Sequence, residues 1–249
     1  MKKYFHALAM TCSMFCAVPS PFRVWDEEAR PLMMLFLPVV GLEIGAIWAL
    51  CAFLAQLLNL PTLITAFVLC AVPYVATGYM HLDGFMDVTD ALRSWRDLAR
   101  RREILKDSHV GSFAVIAVVL LILAQFACFA SAKEDADFRI LLLIPVVTRA
   151  CAGLAVTGLR PMETSQYAGD YRARIPKAHL WILGFIVMLT IAVGFLLCGK
   201  YGFALLAGAA GYGLGLRRGF KHLDGMNGDI SGYALTIGEL LAVAVYALI

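Results

Sequence analysis

Seven long apolar stretches constrain the fold of this chain more than any other feature of its sequence. A helix needs roughly 20 residues to cross about 30 Å of hydrocarbon, and each stretch reaches or nearly reaches that length. They predict an all-α, polytopic integral membrane protein with about seven transmembrane helices, folded as a single domain over residues 1–249. An eighth apolar stretch, residues 5–18, is too short to span and predicts an interfacial or re-entrant segment. The seven predicted spans are Met33–Leu58, Thr62–Met80, Ser112–Ala132, Phe138–Leu159, His179–Cys198, Phe203–Leu216 and Gly232–Ile249.

The composition excludes soluble and disordered proteins and indicates a lipid bilayer as the surroundings. Hydrophobic residues make up 61% of the chain and charged residues 16%, whereas soluble domains carry roughly 45–50% and about 25%. Seven cysteines, most of them in apolar stretches, have no zinc-ligand spacing and are interpreted as packing residues. The formal net charge of +3 is too small to indicate nucleic acid as a partner.

The distribution of basic residues predicts the orientation in the membrane. Of the 21 Lys and Arg, 17 fall in the N-terminal arm and in the loops 81–111, 160–178 and 217–231, and 3 fall in the opposite loops. The remaining one, Arg149, lies inside the fourth predicted span. Because cytoplasmic loops carry an excess of Lys and Arg, this split predicts a multi-pass protein of the cell (inner) membrane with its long loops in the cytoplasm.

An acidic stripe opens the first long loop. Asp83, Asp87 and Asp90 are spaced i, i+4 and i+7, so a helix would place all three on one face. Like charges at that spacing repel each other. A hard divalent cation bound by carboxylate oxygens would relieve the repulsion, and Mg²⁺ acting on phosphates suits this chemistry. The alternative is a solvated acidic face in which Asp83 caps a helix.

Basic residues follow the stripe in the same loop, through Arg100–Arg102 to Lys106 and Asp107. Their proximity to a metal-type acidic stripe indicates a substrate with several phosphates, since Arg and Lys bind phosphate oxygens. Arg102 and its neighbours fit attraction to anionic lipid equally well. For Lys106 and Asp107, beside a turn that contains Gly111, a role in function is favoured.

A second acidic segment lies in the last long loop, where the tetrapeptide His-Leu-Asp-Gly of 81–84 recurs at 222–225. Gly225, Gly228 and Gly232 surround Asp229, and glycine lets backbone N–H groups approach phosphate closely. Asp229 is therefore a further candidate metal ligand or base. Because one helical stripe supplies oxygen ligands from only one direction, the two segments are predicted to build a single site.

Three ionisable residues remain inside predicted spans: Glu43, Arg149 and Glu239. A charge in the hydrocarbon is costly and usually faces a protein interior or a cavity, so each residue is a functional candidate. A purely structural alternative is that Arg149 forms an ion pair with one of the two glutamates.

Three motifs resemble the cobalamin synthase family, the adenosylcobinamide-GDP ribazoletransferases. The first is His81-Leu82-Asp83-Gly84-x-x-Asp87-x-x-Asp90 together with Glu103-Ile104-Leu105-Lys106-Asp107-x-x-x-Gly111. The second is Gly225-x-x-Gly228-Asp229-x-x-Gly232 with Glu239. The third is Pro38-x-x-Gly41-x-x-x-Gly45 in the first span, and Arg149 falls where the family carries an Arg.

The resemblance implies an inner-membrane enzyme that assembles the nucleotide loop of cobalamin. Such an enzyme transfers adenosylcobinamide phosphate from adenosylcobinamide-GDP onto a ribose hydroxyl of α-ribazole or α-ribazole 5′-phosphate. GMP leaves, Mg²⁺ is required, and the product is adenosylcobalamin or its 5′-phosphate. In-line phosphoryl transfer needs mainly positioning and charge neutralisation, in agreement with an acidic stripe beside basic residues.

The expected site combines the candidates from the residues with those from the resemblance. Asp83, Asp87, Asp90 and Asp229 are expected to hold Mg²⁺, and His81 to orient or deprotonate the attacking hydroxyl. Structural histidines are as common at a membrane boundary. The substrate-binding candidates are Lys106, Asp107, Arg102, Arg149, Gly225, Gly228 and Glu239.

Two rival functions stay open from the sequence. A CDP-alcohol phosphotransferase also carries an Asp stripe on a membrane helix, but its Asp-Gly-x₂-Ala-Arg signature is absent, since Phe85, Met86 and Asp87 follow Gly84. A small-solute transporter would place its polar residues at mid-span, whereas most of the distinctive acids here lie in loops. The oligomeric state is open, with a homo-oligomer among the alternatives.

Overall fold

A computed structural model of the chain describes residues 2–22, 24–133, 135–163, 165, 168 and 175–249. Over these residues the fold is all-α, and the one β contact is an isolated bridge between Pro161 and Met226. Short 3₁₀ turns at Arg30–Phe36 and Gly199–Tyr201 precede two of the helices. The helices are α1 (Lys2–Phe15), α2 (Leu37–Leu57), α3 (Thr62–Ala76), α4 (Met80–Arg93), α5 (Leu98–Ile104), α6 (Ser112–Ser131), α7 (Ile140–Gly158), α8 (Ala178–Cys198), α9 (Gly202–Leu223) and α10 (Gly228–Leu248).

The helices confirm a polytopic membrane protein. Five helical stretches are long and apolar enough to cross a membrane, and the bent pair of α3 and α4 would be a sixth if the two helices formed one span. One of the five, Ala178–Leu223, has 46 residues, about twice the length that a single crossing needs. Its two helices, α8 and α9, fold back on each other at Gly199, which has a positive φ angle. The rings of Phe195 in α8 and Phe203 in α9 lie only 5.0 Å apart, which shows the reversal. The sixth predicted span, Phe203–Leu216, is part of the longer α9.

Side-chain contacts place the opposite loops together at one end of the bundle. Lys133 and Lys200 both donate to the carbonyl oxygen of Ile249, at 2.7 Å for Lys133. In the same region Arg139 donates to the carbonyl oxygen of Leu197 at 2.9 Å. These three cations are the ones that the sequence assigns to the side opposite the long loops, so the structure confirms their grouping.

The second predicted span differs from the structure. Its helix, α3, ends at Ala76 after 15 residues, about 22 Å at 1.5 Å per residue and short of the hydrocarbon thickness. Gly78 and Tyr79 then adopt positive φ angles of 59° and 63°, and α4 leaves at 87° to α3. We therefore place α4 at the membrane surface, outside the spanning segments. The predicted loop 81–111 is largely helical, since it holds most of α4 and all of α5.

The glycine pattern of the first span has a packing explanation. An ideal Cβ at Gly41 would lie 2.5 Å from the carbonyl oxygen of Pro145, and one at Gly45 only 2.1 Å from that of Leu142. The Gly-x-x-x-Gly spacing therefore lets the backbones of α2 and α7 approach closely, as small residues do at membrane helix interfaces. This pair of helices carries Arg149 into the centre of the bundle.

Candidate active site

The two acidic segments meet where α4 crosses the first turns of α10. An ideal Cβ at Gly84 would lie 3.0 Å from both the Cα and the backbone oxygen of Asp229, and one at Gly232 would lie 3.2 Å from the Cα of His81. Phe85 and Tyr233 stack beside these contacts, with their ring centroids 5.6 Å apart. The prediction that the two segments lie together is confirmed, because glycine at each contact lets the helices touch.

Asp83, Asp87 and Asp229 form an acidic cluster at this crossing. Asp83 is exposed, whereas Asp87 and Asp229 are half-buried. Burial, followed by the charges of Asp83, Asp229 and Asp90, raises the pKa of Asp87 to about 7. Within the described part of the chain these three carboxylates have no ion pair with Lys, Arg or His. The cluster therefore carries negative charge that a bound cation would neutralise.

Asp90, the fourth predicted metal ligand, is used differently. Its two carboxylate oxygens accept hydrogen bonds from the backbone N–H groups of Gly111, at 2.6 Å, and Ala114, at 2.9 Å. Both donors belong to the first turn of α6, which has no side-chain cap of its own. Asp90 therefore supplies a helix cap from a distant position in the chain. This explains the need for Gly111, because a Cβ there would lie 2.4 Å from the Asp90 carboxylate.

The carboxylate oxygens of the acidic cluster suit a hard cation, but they do not form a closed metal site. No three His, Cys, Asp or Glu side chains among the described residues converge closely enough to hold a metal ion by themselves. Mg²⁺ commonly keeps several waters and takes only one or two protein carboxylates together with substrate phosphates. The arrangement of Asp83, Asp87 and Asp229 therefore suits a Mg²⁺ ion that is bound partly by water and substrate, and does not suit one enclosed by four aspartates.

A cavity of about 210 Å³ adjoins this cluster. His81, Asp229 and Arg149 are its charged or ionisable lining residues. Burial, with the charge of Arg149 as a second cause, lowers the pKa of His81, so its imidazole is neutral at pH 7. The walls include four apolar side chains, namely Met14 and Phe15 of α1, Met34 of the first 3₁₀ turn and Met80 of α4.

Arg149 and Glu239 form an ion pair in the centre of the bundle. The Arg149 Nη1 donates to the Glu239 Oε1 at 2.5 Å, and the Arg149 side chain is only 1% exposed. Thr148 Oγ1 lies 3.4 Å from the same carboxylate oxygen. Removing one member would leave the other as an uncompensated buried charge. The sequence offered an ion pair with one of two glutamates as a structural role for Arg149. The structure confirms this ion pair, which uses Nη1 of Arg149 and has Glu239 as the partner.

The predicted phosphate-binding residues of the first loop separate into two groups. Arg102 donates to the backbone oxygens of Leu223, at 3.1 Å, and Asp224, at 2.9 Å, so it fastens α5 to the end of α9. Asp107 accepts from the His109 backbone N–H at 3.0 Å, and the ring Nδ1 of His109 lies 2.7 Å from the same carboxylate oxygen. Lys106 is exposed. Of the three, only Lys106 keeps a charged group directed to solvent without a described partner.

The two predicted phosphate-binding glycines also differ. Gly225 has a φ of 145°, and a Cβ there would lie 2.8 Å from Met162, so this glycine serves the turn between α9 and α10. Gly228 has open space around its Cα and lines the cavity. Its neighbour Asn227 caps α10 by accepting from the Ile230 N–H at 2.9 Å. Gly228 thus presents the helix N-terminus to the cavity.

A comparison with known protein families identifies the family of this chain. The family model described as cobalamin-5-phosphate synthase matches residues 7–247, which include both acidic segments, the cavity and the buried ion pair. The chain belongs to the cobalamin-5-phosphate synthase family.

Curated relatives agree with the family over the full length. A protein of Clostridium perfringens strain 13 is 39% identical over the whole of both chains. A Clostridium botulinum strain Alaska E43 protein is 33% identical over 98% of this chain and 97% of its own. One from Corynebacterium diphtheriae is 28% identical over 92% of this chain and 86% of its own. All three are named adenosylcobinamide-GDP ribazoletransferase. No solved structure matches the chain.

Sequence reasoning missed two contributors to this cobalamin-5-phosphate synthase site. Asn227 donates from Nδ2 to the Asp229 Oδ2 at 2.7 Å and so orients that carboxylate. An Asn directly before Gly-Asp at a helix start is a recognisable cap signal. The α1 residues Met14 and Phe15 line the cavity, and no motif predicts this contact because it depends on how α1 packs.

Proposed function

We propose that this chain is an adenosylcobinamide-GDP ribazoletransferase that completes the nucleotide loop of cobalamin. One observation carries the proposal: the two acidic segments pack against each other beside a cavity and form one acidic cluster. Both segments lie within the region that matches the family model. The curated relatives bear the same activity in their names.

The proposed reaction balances as a single in-line substitution at phosphorus. A ribose hydroxyl of α-ribazole or its 5′-phosphate forms a bond to the phosphorus that carries cobinamide. The bond from that phosphorus to the bridging oxygen breaks, GMP leaves with that oxygen, and the hydroxyl proton is released. Such a step depends on neutralising charge on the diphosphate and on positioning the hydroxyl.

We assign the positioning of the hydroxyl to His81. Its imidazole lines the cavity together with Arg149. Burial and, after it, the charge of Arg149 lower the pKa of His81, so the ring is neutral and offers one nitrogen as a hydrogen-bond acceptor. A neutral ring nitrogen can accept a hydrogen bond from the attacking hydroxyl. Of the two roles that the sequence left open, we therefore favour orientation.

We propose Mg²⁺ as the cation that neutralises the diphosphate, held by Asp83, Asp87 and Asp229. Their half-buried and exposed carboxylates have no described cationic partner and approach the site from two helices. A bound Mg²⁺ supplies charge stabilisation to the phosphoryl oxygens. Asp90 supports the group through its cap on α6 rather than as a fourth direct ligand.

Purified protein with adenosylcobinamide-GDP, MgCl₂ and either acceptor is expected to release GMP and to form the joined corrinoid. Release should require both the corrinoid substrate and the acceptor. CDP-diacylglycerol with an alcohol acceptor serves as the control for a phospholipid enzyme and should give no CMP. Absence of GMP with both ribazole acceptors, while the protein is folded, would reject the proposed activity.

We also propose that the site faces the cytoplasm of a cell with this protein in its inner membrane, on the basis of the 17 basic residues on that side. Arg96 and Asp135 are exposed at the two ends of the bundle. In a cysteine-free background, a cysteine replacing Arg96 should react with an impermeant maleimide only from the cytoplasmic side. A cysteine replacing Asp135 should react only from the other side. Reaction of both from one side would contradict the orientation.

A further inference from the structure

The Arg149 guanidinium has one occupied edge and one edge without a partner. Nη1 donates to Glu239, whereas Nε and Nη2 are buried and make no hydrogen bond to any described residue. These two nitrogens lie on the same side of the planar guanidinium and form a fork that matches two oxygens of a phosphate. Leaving such donors unpaired in a buried position is costly, so the fork indicates a ligand.

The cavity connects this guanidinium to the acidic cluster. Gly228, Ser231 and Leu235 follow one another along the face of α10 that lines it, and Arg149 lines it as well. Glu239, the partner of Arg149, lies ten residues after Asp229, about 15 Å along the helix at 1.5 Å per residue. Because Asp229 is half-buried and the Arg149 side chain is only 1% exposed, the cavity is a pit with Asp229 nearer its mouth and Arg149 at its inner end. Part of the cavity wall is formed by Met14, Met34 and Met80, whose unbranched side chains can adjust to a ligand.

We propose that the Arg149 fork binds the phosphate of a phosphorylated acceptor, α-ribazole 5′-phosphate, and so sets the preference of the enzyme for it over α-ribazole. The inference rests on the proposed function. Steric access decides between the two phosphate sources in the reaction. The diphosphate of adenosylcobinamide-GDP carries a large group on each side, so it cannot enter a pit of about 210 Å³ end-on. A terminal phosphate monoester can enter it.

The charges around the pit agree with this assignment. Glu239 balances the Arg149 charge from the opposite edge of the guanidinium. Asp229 is the remaining charged lining residue, and it lies at the mouth with the proposed Mg²⁺. A phosphate at the inner end therefore meets the guanidinium, whereas the ribose extends back towards the acidic cluster where the diphosphate reacts.

The test compares kcat/KM for the two acceptors in Arg149→Lys. Lysine keeps the positive charge beside Glu239 but loses the two-nitrogen fork. We expect the ratio of kcat/KM for α-ribazole 5′-phosphate to that for α-ribazole to fall at least tenfold, mainly through a higher KM for the phosphorylated acceptor. Arg139→Lys, at the far end of the bundle, is the matched control and should leave the ratio unchanged.

A second variant keeps the test decisive if Arg149→Lys does not fold. The double change Arg149→Met with Glu239→Leu removes the ion pair as a unit, which is often neutral or stabilising for a buried pair. It should show the same loss of the ratio. Equal losses for both acceptors, or an unchanged ratio in a folded variant, would overturn the proposal. Failure of the proposed function is a different result, since wild-type protein would then release no GMP with either acceptor.

Discussion

Replacement of Asp87 by Asn is expected to lower turnover by more than about 100-fold, which corresponds to roughly 2.7 kcal/mol of transition-state stabilisation. Asp87 belongs to the acidic cluster, where burial and, after it, the charges of Asp83 and Asp229 raise its pKa. The amide keeps the shape of the side chain but removes one negative charge from the proposed Mg²⁺ site. The measurement is the rate of GMP release at saturating substrates over a range of MgCl₂ concentrations.

Asp135→Asn is the matched control for this prediction. Asp135 is exposed at the opposite end of the bundle, so the same chemical change there should leave the rate within twofold of wild type. Both proteins should insert and purify equally, because Asn fits the half-buried position of Asp87. Near-normal turnover of Asp87→Asn would mean that the acidic stripe is only a solvated face, and the proposed metal site would be withdrawn.

Replacement of Gly45 by Ala is expected to be the most destabilising single-methyl change in the first span. The added Cβ would lie 2.1 Å from the carbonyl oxygen of Leu142, a backbone atom that cannot rotate away. Relief of the overlap requires separating α2 from α7, and overpacking of this kind typically costs about 1–3 kcal/mol or more. We expect a clear fall in the thermal unfolding temperature in detergent and a smaller yield of folded protein.

Gly213→Ala in α9 is the control for the change in helix propensity. Apart from the adjoining backbone of α9 itself, no atom lies within 4 Å of the corresponding Cβ position, and Ala is favoured over Gly in a helix by about 1 kcal/mol. This variant should therefore unfold at the same temperature as wild type or higher. If both variants unfold at the same temperature, the close approach of α2 and α7 does not determine stability.

Several features of the fold could be predicted from the sequence because they depend on neighbouring residues. The length and apolarity of the stretches predict membrane helices, since a helix satisfies its own backbone hydrogen bonds in lipid. The second predicted span was wrong in its extent, because it is the tertiary packing of α4 on α10 that stabilises the sharp bend after Ala76. Positive φ angles at Gly78 and Tyr79 make that bend possible.

The sequence motifs predicted which residues belong to the candidate site, but they did not predict the contacts that those residues make. The spacing of Asp83 and Asp87 on one helical face follows from the 3.6-residue period. That Asp90 on the same stripe caps α6, through Gly111 and Ala114, depends on where α6 begins in space. The repeated tetrapeptide was misleading in one respect, because Asp224 is held by Arg102 and Arg160 at the end of α9 and lies outside the acidic cluster.

By itself, the sequence determined the class of protein, the alternation of loops rich in Lys and Arg with loops poor in them, and the residue types available for phosphoryl transfer. These properties are set by composition and local periodicity, which act over a few residues. Only the tertiary structure decided that Gly84 touches Asp229 and that Arg149 shares one edge with Glu239 and keeps the other unpaired. Such contacts join residues that are 90 or more positions apart, and they depend on how closely helix backbones approach one another in three dimensions.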